Sequence, residues 1–101
     1  MALTTVQVEC PAAATTALPL PGTAGSADAD MIVTFYGNSD LHVEFSADGV
    51  QYTEYSASSA GMFFQGFQLQ IARGMFIRAR NTHAGTTHTA ILCYRYLGSP
   101  L

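Results

Sequence analysis

Apolar and polar residues alternate most clearly between Leu41 and Tyr55, read L-H-V-E-F-S-A-D-G-V-Q-Y-T-E-Y. Leu41, Val43 and Phe45 fall on one side and His42, Glu44 and Ser46 on the other, the period of a strand with one buried face. Asp48-Gly49 then supplies a pair that tolerates the positive φ of a tight hairpin turn. A two-residue turn sets Phe45 against Tyr52 and gathers the apolar residues of both arms on one face, whereas a three-residue turn sets Phe45 against Gln51. Register follows the buried pattern, so the shorter turn is expected. Glu54 then lies opposite Val43 and Glu44 opposite Thr53, and the two carboxylates leave opposite faces of the hairpin.

The same reading extends along the chain. Thr4 to Glu9 is β-prone and alternates weakly, and Cys10-Pro11 closes it. Met31 to Tyr36 (M-I-V-T-F-Y) is an apolar run of the kind covered on both faces. Paired through Gly37 to Asp40 with the Leu41 strand, it sets Ile32, Thr34 and Tyr36 beside Leu41, Val43 and Phe45. Met31, Val33 and Phe35 are left on a second face that needs a cover, from the N-terminal segment, a second sheet or a neighbouring subunit. Phe67, Leu69 and Ile71 alternate with Gln68, Gln70 and Ala72, after the apolar cluster Met62-Phe63-Phe64 and Gly66, which reads as a bulge or bend between the two parts. Arg73-Gly74 turns the chain. Met75, Ile77 and Ala79 then oppose Phe76, Arg78 and Arg80, and Thr87 to Tyr96 reads as the longest strand. About seven strands without a helical period predict an all-β chain, an antiparallel sandwich of the jelly-roll type with seven or eight strands.

One stretch breaks the pattern. From Pro11 to Asp30 the chain is rich in Ala, Thr, Pro, Gly and Ser with no period. So long a structureless loop is uncommon inside a compact domain. Residues 1–30 are therefore expected to form a first strand and an extended arm that orders by lying on something else, and residues 31–101 the sandwich. Pro19, Leu20 and Pro21 of the arm, Met31, Val33 and Phe35 of the uncovered face, and Met62, Phe63 and Phe64 make up the expected interaction surface.

Composition sharpens that expectation. Of the 101 residues 49% are apolar and only 11% charged, with no lysine, against about 25% charge in an ordinary domain. Interface cores are poor in charge and rich in aromatic residues, Met and Arg, so a chain that packs against copies of itself or a partner fits better than one with a merely neutral surface. Four arginines and a net charge of −3 do not make a phosphate-binding face, and nucleic acid is not an expected partner. The N-terminal residues show neither a basic n-region nor an apolar span unbroken by proline, so no membrane partner is expected and synthesis in the cytosol is.

No G-x-S-x-G, lysine-bearing phosphate loop or H-E-x-x-H is present, and the expectation is a protein that is not an enzyme and carries no cofactor. Glu44 and Glu54 read as solvated strand charges. His42, His83 and His88 read as surface or hydrogen-bonded histidines, although a histidine on the axis of a trimer gathers three copies around an ion. Asp28, Asp30, Asn38 and Asp40 read as turn residues. Tyr52, Tyr55, Tyr94 and Tyr96 are the candidates for a sugar-stacking platform. Cys10 and Cys93 are free thiols in a reducing compartment, and a disulfide between the first and last strands is the alternative.

F-S-A-D-G-V-Q-Y within Val33 to Tyr52, A-R-G-M-F-I-R-A-R-N and T-H-T-A-I-L-C-Y-R-Y together resemble the core of discoidin-like, galactose-binding-like β-sandwiches over residues 31–96. In size, style and Ala/Thr/Pro-rich N-terminal segment the chain also resembles accessory proteins of tailed-phage virions, the capsid decoration or cement type. That resemblance implies a homo-oligomer, a trimer by preference, located in the virion and binding the major capsid protein or another virion protein through its arm. The first resemblance implies the alternative, a carbohydrate- or receptor-binding module of a tail fibre or baseplate.

Overall fold

The computed structural model describes residues 4–55 and 67–97. Eight strands form two antiparallel sheets of four. In chain order they are β1 (Thr4–Cys10), β2 (Thr15–Ala17), β3 (Met31–Tyr36), β4 (Leu41–Ser46), β5 (Thr53–Glu54), β6 (Phe67–Ile71), β7 (Phe76–Asn81) and β8 (His88–Tyr96). The first sheet runs β1-β8-β3-β6 and the second β2-β7-β4-β5. Among the described residues the one helical element is a 3-10 turn at Thr23–Gly25.

The alternation read from the sequence decides which side chains meet between the sheets. Met31, Val33 and Phe35 of β3, Ala90 and Leu92 of β8 and Ile71 of β6 face Leu41 and Val43 of β4 and Ile77 and Ala79 of β7, and all are buried in one apolar core. Burial of that apolar area is the main source of stability, at about 25 cal/mol per Å². The result is a β-sandwich with its hydrophobic layer inside.

Four expectations change. β3 and β4 do not pair: the Gly37–Asp40 turn carries the chain from one sheet to the other, and the cover that Met31, Val33 and Phe35 need is the chain's own second sheet. The three are 0% exposed, so they are core and not interaction surface. The hairpin register is also different. Glu44 pairs with Glu54 and Phe45 with Thr53, one step from the register of the two-residue turn. The cause is local hydrogen bonding. Ser46 Oγ accepts from the backbone N–H groups of Asp48 and Gly49, and Asp48 Oδ1 accepts from Val50 and Gln51. These bonds build a longer loop, with Gly49 at φ 79° and tight against the Phe76 ring, and the backbone satisfaction outweighs the apolar match.

The third concerns residues 11–30. They lie on the sandwich itself: β2 pairs with β7, the Leu18 N–H donates to Ile77, and Ala27 exchanges backbone hydrogen bonds with Met75 and Gly74. Leu18 and Leu20 are 1% and 5% exposed within the core, while Pro19 and Pro21 between and beside them are exposed. Last, the division at residue 30 does not separate two bodies here, because β1 is hydrogen-bonded to β8 along its length, from Thr4 opposite Tyr94 to Cys10 opposite His88. Met62, Phe63 and Phe64 lie outside the described residues.

The two outer faces differ. On the first sheet Thr5, Gln7 and Glu9 of β1 lie beside Thr89, Ile91, Cys93 and Arg95 of β8, then Ile32, Thr34 and Tyr36 of β3, and Gln68 and Gln70 of β6. The second carries His42, Glu44, Arg78, Arg80 and Glu54 side by side. Charge is concentrated on one face of the sandwich.

Candidate functional site

The outer face of the second sheet is the densest group of chemically active side chains among the described residues. Alternation places them there. R-A-R in β7 turns Ala79 into the core and leaves both arginines outside, and H-V-E in β4 does the same for His42 and Glu44. The register then sets Arg80 opposite His42, Arg78 opposite Glu44, and Glu54 on the far side of Glu44.

The bonds follow from that placement. Arg78 Nε donates to Glu44 Oε1 at 2.6 Å and Arg80 Nε to Glu44 Oε2 at 3.0 Å. Arg80 Nη2 donates to Glu54 Oε1, and the other oxygen of Glu54 lies 3.3 Å from His42 Nδ1. The Arg78 guanidinium carbon stands 3.9 Å from the centre of the Tyr52 ring, a cation–π contact. Two carboxylates and two guanidinium groups balance. Glu44 lies buried beneath the arginines, where an unpaired carboxylate would be costly.

Titration follows geometry. Desolvation pushes the Glu54 carboxyl up, but the hydrogen bonds from Arg80 and His42 outweigh it and hold Glu54 below its ordinary value. Desolvation acts to lower Arg80, and its two carboxylates outweigh that and hold the guanidinium charged. A glycosidase pair needs one carboxyl kept protonated. Glu44 and Glu54 instead share a face and an arginine, in an arrangement that crosslinks strands β7, β4 and β5.

The other candidates are dispersed. His83 and His88 do come together across their turn, with ring centres 5.8 Å apart, and His88 Nε2 lies 3.2 Å from Asp40 Oδ2. No group of three or more His, Cys, Asp or Glu able to hold a metal ion occurs among the described residues. Asp28 accepts from the Tyr96 hydroxyl at 3.1 Å, and Asp30 accepts from the Arg73 N–H at 2.9 Å. The four tyrosines do not form one platform: Tyr52 is under Arg78, while Tyr55, Tyr94 and Tyr96 pack against the core. Cys10 is buried, Cys93 faces outward beside the Thr5 hydroxyl at 3.4 Å, and both are free thiols.

Arg78 and Arg80 were not among the expected site residues. Their signal lay in the spacing R-A-R on a strand whose alternate residues are core, facing two glutamates on alternating strands. Asn81 was missed as well. Its side chain is buried, with Nδ2 donating to the carbonyls of Cys10 and Thr86 and Oδ1 accepting from the His83 N–H, each at 2.9 Å.

The class this defines is an antiparallel two-sheet β-sandwich with a charge-neutral ionic cluster on one outer face. No protein-family model matches the chain, and no curated protein matches it.

Proposed function

We propose that the chain is a non-enzymatic structural protein of a virus particle, an oligomeric capsid-decoration protein built as a jelly roll. The observation that carries the reading is the strand order. β1-β8-β3-β6 packed on β2-β7-β4-β5 is the order that two interlocked Greek keys produce, and it supports a jelly roll over other sandwich topologies. Composition supports the oligomer, because a face so poor in charge suits contact with protein better than bare solvent.

The structure changes how such a protein would grip a shell. Residues 11–30 are tied into the sandwich, so the contact falls to what they expose. Pro19 lies on the rim of a concavity of about 540 Å³ with Ala17, Tyr52 and Phe76 in its lining, and Val50 stands exposed in the loop beside it. The cement role then rests on loops hydrogen-bonded to the sandwich and not on a free arm.

The test is the protein content of purified particles from the source of the sequence. Mass spectrometry with a labelled standard is expected to find the chain in a fixed ratio to the major capsid protein. Its absence from intact particles, or a trace amount unrelated to that ratio, overturns the reading. Titration against a glycan panel decides the alternative, since tight binding of a sugar would make this a recognition module.

A further inference from the structure

We infer that the outer face of the β1-β8-β3-β6 sheet is a self-association surface, on which a second copy of the chain packs face to face about a two-fold axis. The inference deepens the oligomer in the proposed function by naming its surface, and shares with that reading only the claim of self-association.

Charge placement carries it. Glu9 and Arg95 are the only charged residues on the strands of this face. They sit at opposite ends of it, Glu9 level with Thr89 and Arg95 six residues further along β8, about 20 Å at strand rise. Between them are Tyr36 and Ile91, cross-strand partners that are 45% and 37% exposed and thus two of the three large apolar side chains left exposed among the described residues. Thr34 and Cys93 form the next pair. Arg95 has no ion-pair partner among the described residues. Asp30, just beyond β3 at the same end, is engaged by the Arg73 N–H.

A face with an anion at one end, a cation at the other and an uncharged middle is complementary to itself after a half-turn. With the axis across the strands, near the level of Leu92, Glu9 of each copy approaches Arg95 of the other. Ile91 and Tyr36 then pack over the Thr34 and Cys93 level. The other in-plane axis would stack Glu9 on Glu9 and Arg95 on Arg95, and repulsion disfavours it. Four strands at about 4.8 Å spacing and about 20 Å of length give roughly 400 Å² of projected footprint on each copy. Accessible area exceeds projection, so a pair reaches the range of about 1,000 Å² at which specific contacts begin. Two sheets packed this way repeat the geometry inside the sandwich. The contact is isologous and makes a dimer or an assembly of dimers, in place of the trimer expected from the resemblance.

Cys93 reports on it. In this pairing the two Cys93 residues lie on either side of the axis, offset by about 7 Å along the strand, and Cys10 is fully buried. The full chain is examined by sedimentation equilibrium and by a short bis-maleimide, with Cys93→Ser as the crosslinking control. A dimer that crosslinks through Cys93 is expected. Ile91→Arg is expected to abolish it, and Glu9→Arg or Arg95→Glu alone to weaken the dimer about three- to tenfold, with the double reversal recovering most of the loss.

A chain that stays monomeric up to about 100 μM, too weak for a contact of this size, overturns the inference. So does an oligomer indifferent to Ile91→Arg and to both reversals. Circular dichroism checks that each variant is folded, and the charge-reversal cycle stands alone if Ile91→Arg is not. Particle content is measured separately, so the surface can fail while the virion reading stands, and the reverse.

Discussion

Asn81 uses both ends of its side-chain amide on backbone. It joins the last residue of β7 to the last residue of β1 and to the loop that enters β8. Truncating it leaves two carbonyls and one N–H without their side-chain partner, and the bond to the Cys10 carbonyl is a buried one. Asn81→Ala is expected to cost about 2–4 kcal/mol in urea unfolding, and Asn81→Leu, which restores volume without hydrogen bonds, to recover little of it. The same logic explains why the register could not be read. Leu41, Val43 and Phe45 announce a buried face, but the one-step shift that brings Glu44 opposite Glu54 comes from bonds to Ser46 Oγ and Asp48 Oδ1. Periodicity carries no information about such local bonds.

Among the elements, strands with a strong apolar pattern, alternating or, in β3, continuous, were legible. β3, β4, β6, β7 and β8 start and stop within a residue or two of their sequence limits, because each puts apolar residues on one face at every second position. β2 was not legible. Thr15–Ala17 has three small residues and no alternation, and is a strand because β7 offers an unpaired edge and Leu18 follows into the core. Neighbouring residues there should separate sharply by thermal or urea unfolding. Leu18→Ala is expected to lose about 2–4 kcal/mol as a buried truncation, and Pro19→Ala to fall within about 0.5 kcal/mol of the parent as an exposed one. Equal, small effects would mean that residues 11–30 are not part of the folded unit. The assignment of β3 and β4 to different sheets was equally invisible, since the apolar sets of both strands fit either a shared face or two opposed ones.

At the scale of the molecule, titration has a defined shape. Gln51 and Val50 N–H groups and the Ser46 hydroxyl hold Asp48 below its ordinary value, as Arg80 and His42 hold Glu54. Carboxyls depressed on folding contribute stability above their unfolded pKa values, near about 4, and lose it as pH falls through the folded ones. Cys10, raised by burial and then by Glu9, and Tyr96, raised by burial and then by Asp28, contribute below their unfolded values of about 8.5 and 10. That contribution disappears as pH rises through the folded values. A stability plateau between about pH 5 and 8 is expected from urea midpoints, with an acid limb that Glu54→Gln makes shallower. An unchanged acid limb in that variant would remove Glu54 from the account.

The position of the middle strands has a consequence for how the protein is made. β7 is flanked by β2 and β4, and β8 by β1 and β3, so the two strands that hold the sheets together are the last two of the eight to be translated. Before residue 76 is translated, β3 can meet β6 and β4 can meet β5, while β1 and β2 have no strand to join. A nascent chain stopped there is two loose ribbons with open edges. The sandwich therefore closes only once β7 and β8 have been translated, and a message cut before them releases a fragment with open strand edges.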